Sequence, residues 1–337
     1  MTEKARLSVM SPKRTAKIPS PRGIDQEVKV GGITIKPFRL IAPAVEYVSV
    51  KNATVHITPW GAHVLDGDTE VPDINLVSPW NSKSLEDIEP PQGEAIILEG
   101  RWSYMLPPRG RRNFCHFILE GLPNAYHDAI YDLPLIDGVI SETGMEKLTT
   151  ETFAIFGEKK VTFAGSFAHY KLEEFSFLKG LKHPANGCDP KIMSLYSEQS
   201  AHYIRHSGSF EKIAILRKKG RRGVHNEAEV MELLARHGYA CIDPAAHSLS
   251  EQIEMFATAH EIVAVHGAAL ALLAFVKAPA KVVELCLADY FTPAFWIMGG
   301  SMGLDYALLP CSNANVNGVQ PKFWDLNVPL SELEALL

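Results

Sequence analysis

The five cysteines of this chain, Cys115, Cys188, Cys241, Cys286 and Cys311, include no C-x-x-C pair. An odd, scattered set suits neither a disulfide framework nor a zinc ribbon and points to a reducing compartment. Long apolar runs are missing too. The longest, Ile262 to Val276, contains His266 and stops at Lys277, short of the roughly 20 residues that a membrane-spanning helix needs. Nor is there an excess of positive charge: 33 Lys and Arg against 39 Asp and Glu leave a net charge of -6. Any grip on nucleic acid would therefore be local, and a general nucleic-acid binder is disfavoured. The absence of a G-x-S-x-G elbow, a P-loop and a dinucleotide fingerprint argues against serine hydrolases, P-loop NTPases and NAD-dependent dehydrogenases. No metal site is expected. His202 and His206 are four apart, but Tyr203 stands where a zinc protease needs glutamate, and Asp66-Gly67-Asp68 reads as a turn.

What is there is a globular composition, 46% hydrophobic over 337 residues, enough for about two domains. The first 30 or so residues carry Lys4, Arg6, Lys13, Arg14, Lys17 and Arg22 without the apolar core of a signal peptide. They read as a basic, disordered tail, whose sharper alternative is a weak peripheral contact with anionic membrane lipid. A cytoplasmic protein is expected. Ser207-Gly208-Ser209 is the most linker-like tripeptide, which divides the chain into a lobe over residues 31–207 and another over 208–337. No pattern is read before about residue 90, apart from the basic tail.

From Ile213 to Cys286, short apolar runs alternate with helix-period segments, the signature of βαβ units and a parallel sheet. Strands are predicted at 213–216, 239–242, 262–265 and 282–286. One helix starts at a capping box of Asn226 and Glu229 and buries Val230, Leu233 and Leu234. A second starts at a capping box of Ser248 and Glu251 and buries Leu249, Ile253, Phe256 and Ala257. Gly267 to Phe275 reads as a buried helix. Upstream, strands are predicted at 95–98 and 161–164, with a helix around Phe114 interrupted near Gly121 and Pro123.

Three groups of residues could carry chemistry. After the strand ending at Leu216 comes Arg217-Lys218-Lys219-Gly220-Arg221-Arg222, at the edge where α/β sheets bind ligands; a solvated charged loop is the plain alternative. His266-Gly267-Ala268-Ala269 joins a strand to a helix, so that backbone N–H groups could meet an anion; a tight turn with a core histidine is the alternative. Glu284, inside an apolar run, is costly to bury alone, and should reach a ribose hydroxyl, a sugar or a cation, or else pair with the basic loop. In the first lobe, His116 and Glu120 lie four apart on one helix, a proton acceptor beside a carboxylate, or simply a surface pair.

In order, Asn113-Phe114-Cys115-His116-Phe117 with Glu120 and Pro123, Leu216-Arg217 with Asn226-Glu227, Ser250-Glu251-Gln252, His266-Gly267-Ala268 and Val283-Glu284-Leu285 resemble glycosyltransferase family 61, over perhaps half of the chain. The resemblance implies a GT-B architecture, two Rossmann-like lobes with a cleft between them. It implies metal-independent transfer of a sugar from a nucleotide sugar, with inversion, to a glycan or glycolipid acceptor in bacterial capsule, exopolysaccharide or lipopolysaccharide assembly, with no cofactor. Mapped onto this chain, His116 supported by Glu120 is the base and Asn113 lies on the acceptor side. Arg217 and Arg222 sit near the diphosphate, Asn226 and Glu227 shape that loop, His266, Gly267 and Ala268 complete it, and Glu284 points to the nucleoside. Relatives commonly continue H-G-A-G-L-T-N, whereas this chain has Ala269, Ala271 and Leu272, without that second glycine, hydroxyl and amide. Cys115 stands where an aromatic or histidine is usual. Two other readings remain open: a GT-B-like epimerase or hydrolase of nucleotide sugars, and a non-catalytic carbohydrate-binding scaffold.

Overall fold

The computed structural model describes residues 5–22, 24, 28–30, 32–59, 61–71, 76–77, 91, 93–105, 113–181, 189–206, 210–217, 222–314, 320 and 324–337. Packing divides the chain into two compact units, Met1–Arg14 with Pro43–Ile192, and Thr15–Ala42 with Met193–Leu337. The division therefore falls upstream of the Ser207 tripeptide, which lies outside the described residues. The amino-terminal segment is shared between both units.

The first unit is built on a mixed sheet of β1 (Ala5–Ser11), β2 (Val45–Thr58), β3 (Gly61–Asp66), β4 (Ile96–Tyr104), β5 (Gly138–Glu142), β6 (Lys160–Ala164) and β7 (His169–Lys179). The order is β6-β5-β4-β7-β2-β3, with β1 pairing β2. β4 is parallel to β5 and β7, and β5 to β6, whereas β2 runs antiparallel to β7, β3 and β1. Only part of this sheet is Rossmann-like. Within β2, residues 53–57 follow the period-two burial of a strand with one core face, Ala53, Val55 and Ile57 being buried between half-exposed Thr54 and His56. The described residues of the basic tail form strands and contacts: Ser8 pairs with Tyr47, and Arg14 forms an ion pair with Asp189. Alternation of short apolar and charged residues supports edge pairing, a pattern that counting charges alone overlooks. The Asp66-Gly67-Asp68 turn closes a hairpin between Asp66 and Thr69.

The second unit holds β8 (Lys212–Ile215), β9 (Ala240–Ile242), β10 (Glu261–Val265), β11 (Lys281–Leu287), β12 (Asp305–Ala314) and β13 (Asp325–Asn327) in the order β9-β8-β10-β11-β12-β13. The first five strands are parallel and β13 is antiparallel to β12. The helices that flank them include α1 (Glu227–Arg236), which buries Val230, Leu233 and Leu234, and α2 (Leu249–Thr258), which starts at the expected Ser248–Glu251 capping box. The buried helix is a 3-10 helix, Ala268–Phe275. Residues from the chain's start join this unit: Arg22 bridges to Ala307, and the Trp296 indole donates to the Pro19 carbonyl at 2.9 Å. Among the described residues, no helix is long and apolar enough to cross a membrane.

Candidate functional site

In the second unit the chain leaves β8 toward β9 on one side and later places β10 on the other, so the strand order reverses at β8. Carboxyl ends flanking such a reversal leave a crevice open to ligands. A cavity of about 620 Å³ lies there, with walls that include Leu216, Arg217, Glu227, Asp243, Gly267 and Ala268. Arg217 lies across Gly267: its Nη1 donates to the His266 carbonyl at 3.4 Å, and a Cβ on Gly267 would come within 2.5 Å of that nitrogen. Beyond Gly267 the 3-10 helix begins without a side-chain cap, so its first N–H groups have no partner within the helix. A guanidinium beside a helix start is suited to an anion.

The other expected donor residues divide. Glu227 opens α1 and lines the cavity. Asn226 does not cap that helix, contrary to the capping-box expectation. Its amide instead donates to the Val328 carbonyl and accepts from the Val328 N–H, both at 2.9 Å. Arg222, with a left-handed backbone (φ 59°), lies over the Tyr290 ring at 5.3 Å and does not line the cavity. Residues 218–221 of the basic loop lie outside the described residues.

His266 and Glu284 correct the sequence reading most clearly. Glu284 is fully buried, and its carboxylate meets His266 Nδ1 at 2.5 Å and accepts from the Tyr306 hydroxyl at 2.8 Å. The other imidazole nitrogen, Nε2, is 3.2 Å from the Thr292 hydroxyl, and Tyr290, Phe291 and Phe295 surround the ring. Neither side chain is among those that line the cavity. Together they form a buried polar chain that anchors the end of β10 to β11 and β12, and so sets the backbone at Gly267. The same acid pushes the Tyr306 hydroxyl well above its ordinary range, after burial itself.

In the first unit, the expected interruption near Gly121 is a π-helical turn. Phe114–His116 and Leu122–Ala125 are α-helical and Phe117–Gly121 is π-helical. Such turns often mark functional sites. Gly121 packs so closely that a Cβ would lie 2.1 Å from the Met105 carbonyl oxygen, just past the end of β4. His116 Nδ1 is 2.5 Å from Glu120 Oε1; the imidazole keeps about a quarter of its surface, the carboxylate almost none. Among the described residues, buried Glu120 Oε2 has no hydrogen-bond partner. With Nδ1–H donated to the acid, Nε2 is the nitrogen left to take a proton. Asn113 caps this segment, its side chain accepting from the Cys115 N–H at 3.0 Å. Burial, reinforced by Glu120, raises the Cys115 thiol to about 12, so it stays protonated.

Sequence reading missed the far wall of the cavity, Cys241 to Ala245 with Met231. The signal was available, because Asp243 to Ala245 follow the second strand of a βαβ unit at its ligand-facing end. Among the described residues, no group of three His, Cys, Asp or Glu side chains is placed to hold a metal ion. Compared with models of protein families, residues 114–283 match Glycosyltransferase 61, a span that begins beside Asn113 and ends at Val283. No curated protein matches the chain.

Proposed function

Because the chain belongs to glycosyltransferase family 61, we propose that it is an inverting, metal-independent transferase of the GT-B type. It moves a sugar from a nucleotide-sugar donor to a hydroxyl of a glycan or glycolipid acceptor in cytoplasmic steps of bacterial polysaccharide biosynthesis. The observation that carries this reading is the cavity at the strand reversal, with Arg217 laid over Gly267 at the start of a helix. The diphosphate sits against that guanidinium and the first N–H groups of the helix. His116 Nε2 takes the proton of the acceptor hydroxyl while Glu120 holds Nδ1–H and stabilises the imidazolium. The hydroxyl oxygen then bonds to the anomeric carbon as the bond to the diphosphate breaks, and the leaving group departs with the bonding electrons. Its growing charge is met by Arg217, and loss of such a donor typically costs about 10²- to 10³-fold in rate.

The test is calorimetric titration of UDP, GDP, CMP and their sugars into wild type and Arg217→Ala, with and without chelator, followed by transfer assays on His116→Ala. One nucleotide should bind regardless of chelator and bind far more weakly to Arg217→Ala. His116→Ala should retain donor binding and lose transfer. If folded protein bound no nucleotide but did bind glycan, the scaffold reading would replace this one.

A further inference from the structure

The far wall of the cavity differs in chemistry from the wall at Gly267, and we propose that Met231, Cys241, Ile242 and Pro244 form the seat of the donor's nucleobase. This rests on the donor-binding reading above. α1 turns Val230, Leu233 and Leu234 to the core, whereas Ala228, Glu229, Glu232, Ala235 and Arg236 on its other sides are exposed and are short or charged. Met231 breaks that pattern. It is 42% exposed and lines the cavity together with Glu227, one turn before it on the same helix face. A large apolar side chain left in water gains nothing for the fold, and a ligand that covers it removes apolar surface from water.

Cys241 and Ile242 end β9 and Pro244 follows it, with β8 between β9 and β10. Two strand spacings of about 4.8 Å each therefore set this wall about 10 Å from Gly267, which leaves room for a ribose between them. The charges differ along that line. Arg217 and the helix start at Gly267 suit the diphosphate. At the β9 end, burial and then the Glu227 carboxylate raise the Cys241 thiol, so the thiol stays neutral near neutral pH while the carboxylate disfavours an anion. A flat, uncharged, aromatic group fits such a wall. A methionine thioether packs favourably against an aromatic ring, and its flexible chain adapts to the outline of the ring. The cavity, about 620 Å³, is of the size ordinary for a small-molecule site.

Alkylation of Cys241 by iodoacetamide, followed on its own peptide by mass spectrometry, reports on this wall, because Cys241 is exposed whereas Cys286 and Cys311 are buried. The reaction is run at about pH 9, where part of the thiol is ionised. The probes are the best-binding of UDP, GDP and CMP, and inorganic pyrophosphate for the diphosphate end, with affinities taken from calorimetry. At about ten times its Kd the nucleotide leaves roughly one molecule in eleven free, so alkylation of Cys241 should slow about tenfold. Pyrophosphate at the same multiple of its own Kd should leave the rate unchanged. Met231→Ala, a change at an exposed position, should weaken nucleotide binding about 2- to 10-fold and leave pyrophosphate affinity as it was. Three results would each overturn the assignment while the donor reading stands: alkylation at the free rate with nucleotide bound, equal slowing by pyrophosphate, or unaltered nucleotide affinity in Met231→Ala. If folded wild type binds no nucleotide, both fall.

Discussion

Gly267 has an extended backbone (φ 174°, ψ 178°) that any residue can adopt, so its missing side chain matters for space rather than for torsion. The space is taken by Arg217, whose Nη1 would stand 2.5 Å from an added Cβ. Gly267→Ala must therefore push the guanidinium aside. The end of an arginine moves cheaply, so the melting temperature should change little while the aim of the guanidinium changes. Nucleotide affinity by calorimetry should drop about tenfold, equivalent to roughly 1.4 kcal/mol; unchanged affinity would show that Arg217 does not grip the ligand from this position. Glu284 has the partner that an acid inside an apolar run requires, but that partner is His266 with Tyr306. His266 lies 18 residues before Glu284 and Tyr306 lies 22 after it, and only the parallel pairing of β10, β11 and β12 brings the three together. Arg217, by contrast, was legible because the residue after a strand end points the same way wherever the rest of the chain goes.

At the scale of elements, the segment after the π turn is tied to β7 by fully satisfied buried groups. Asn124 donates to the Glu120 carbonyl at 3.0 Å and accepts from the Leu178 N–H at 2.7 Å. His127 lies 2.8 Å from the Asn124 carbonyl through Nδ1 and 3.0 Å from the Ser176 hydroxyl through Nε2. Burial lowers the His127 pKa to about 4, against which the Asn124 carbonyl acts only partly. Between that value and about 6.5, the unfolded chain binds a proton that the folded chain refuses. Stability present above about pH 6.5 is therefore lost as pH falls, and the loss is complete below about pH 4. Half-buried His56, also lowered by burial, acts with the same sign. Urea unfolding should show the first unit weaker by on the order of 2 kcal/mol at pH 5 than at pH 7.5, and a flat profile over that window would mean that His127 takes up its proton without unfolding. The helix break itself was legible, since Gly121 and Pro123 interrupt the apolar period. That it takes the form of a π turn was not, and the close approach of Gly121 to the Met105 carbonyl is a contact with a residue distant in sequence that local pattern does not record.

At the scale of the whole molecule, the second unit was read well between 213 and 286 because its strands are predominantly apolar runs and α1 and α2 each have one apolar face, patterns that local sequence records. The first unit was read poorly because its sheet mixes parallel and antiparallel strands, so no single repeat runs through it. The share of the amino terminus in the second unit was not legible at all: Arg22 meets Ala307 and Pro19 meets Trp296 across more than 270 residues of chain. That sharing makes a prediction of its own. A ligand that binds only the folded state stabilises it by about 2.7 kcal/mol at 100 times its Kd. Each unit has its own sheet and core, so donor nucleotide should raise hydrogen-exchange protection within β8 to β12. It should also raise it at Arg22, whose N–H donates to the Tyr306 carbonyl at 2.7 Å, while the amides of β2 and β7 in the first unit keep their unliganded rates. Arg22 is the discriminating position. Protection there together with β12 would establish that the start of the chain folds as part of the donor-binding unit, whereas protection of β12 without Arg22 would make that segment an independent appendage and remove it from the unit.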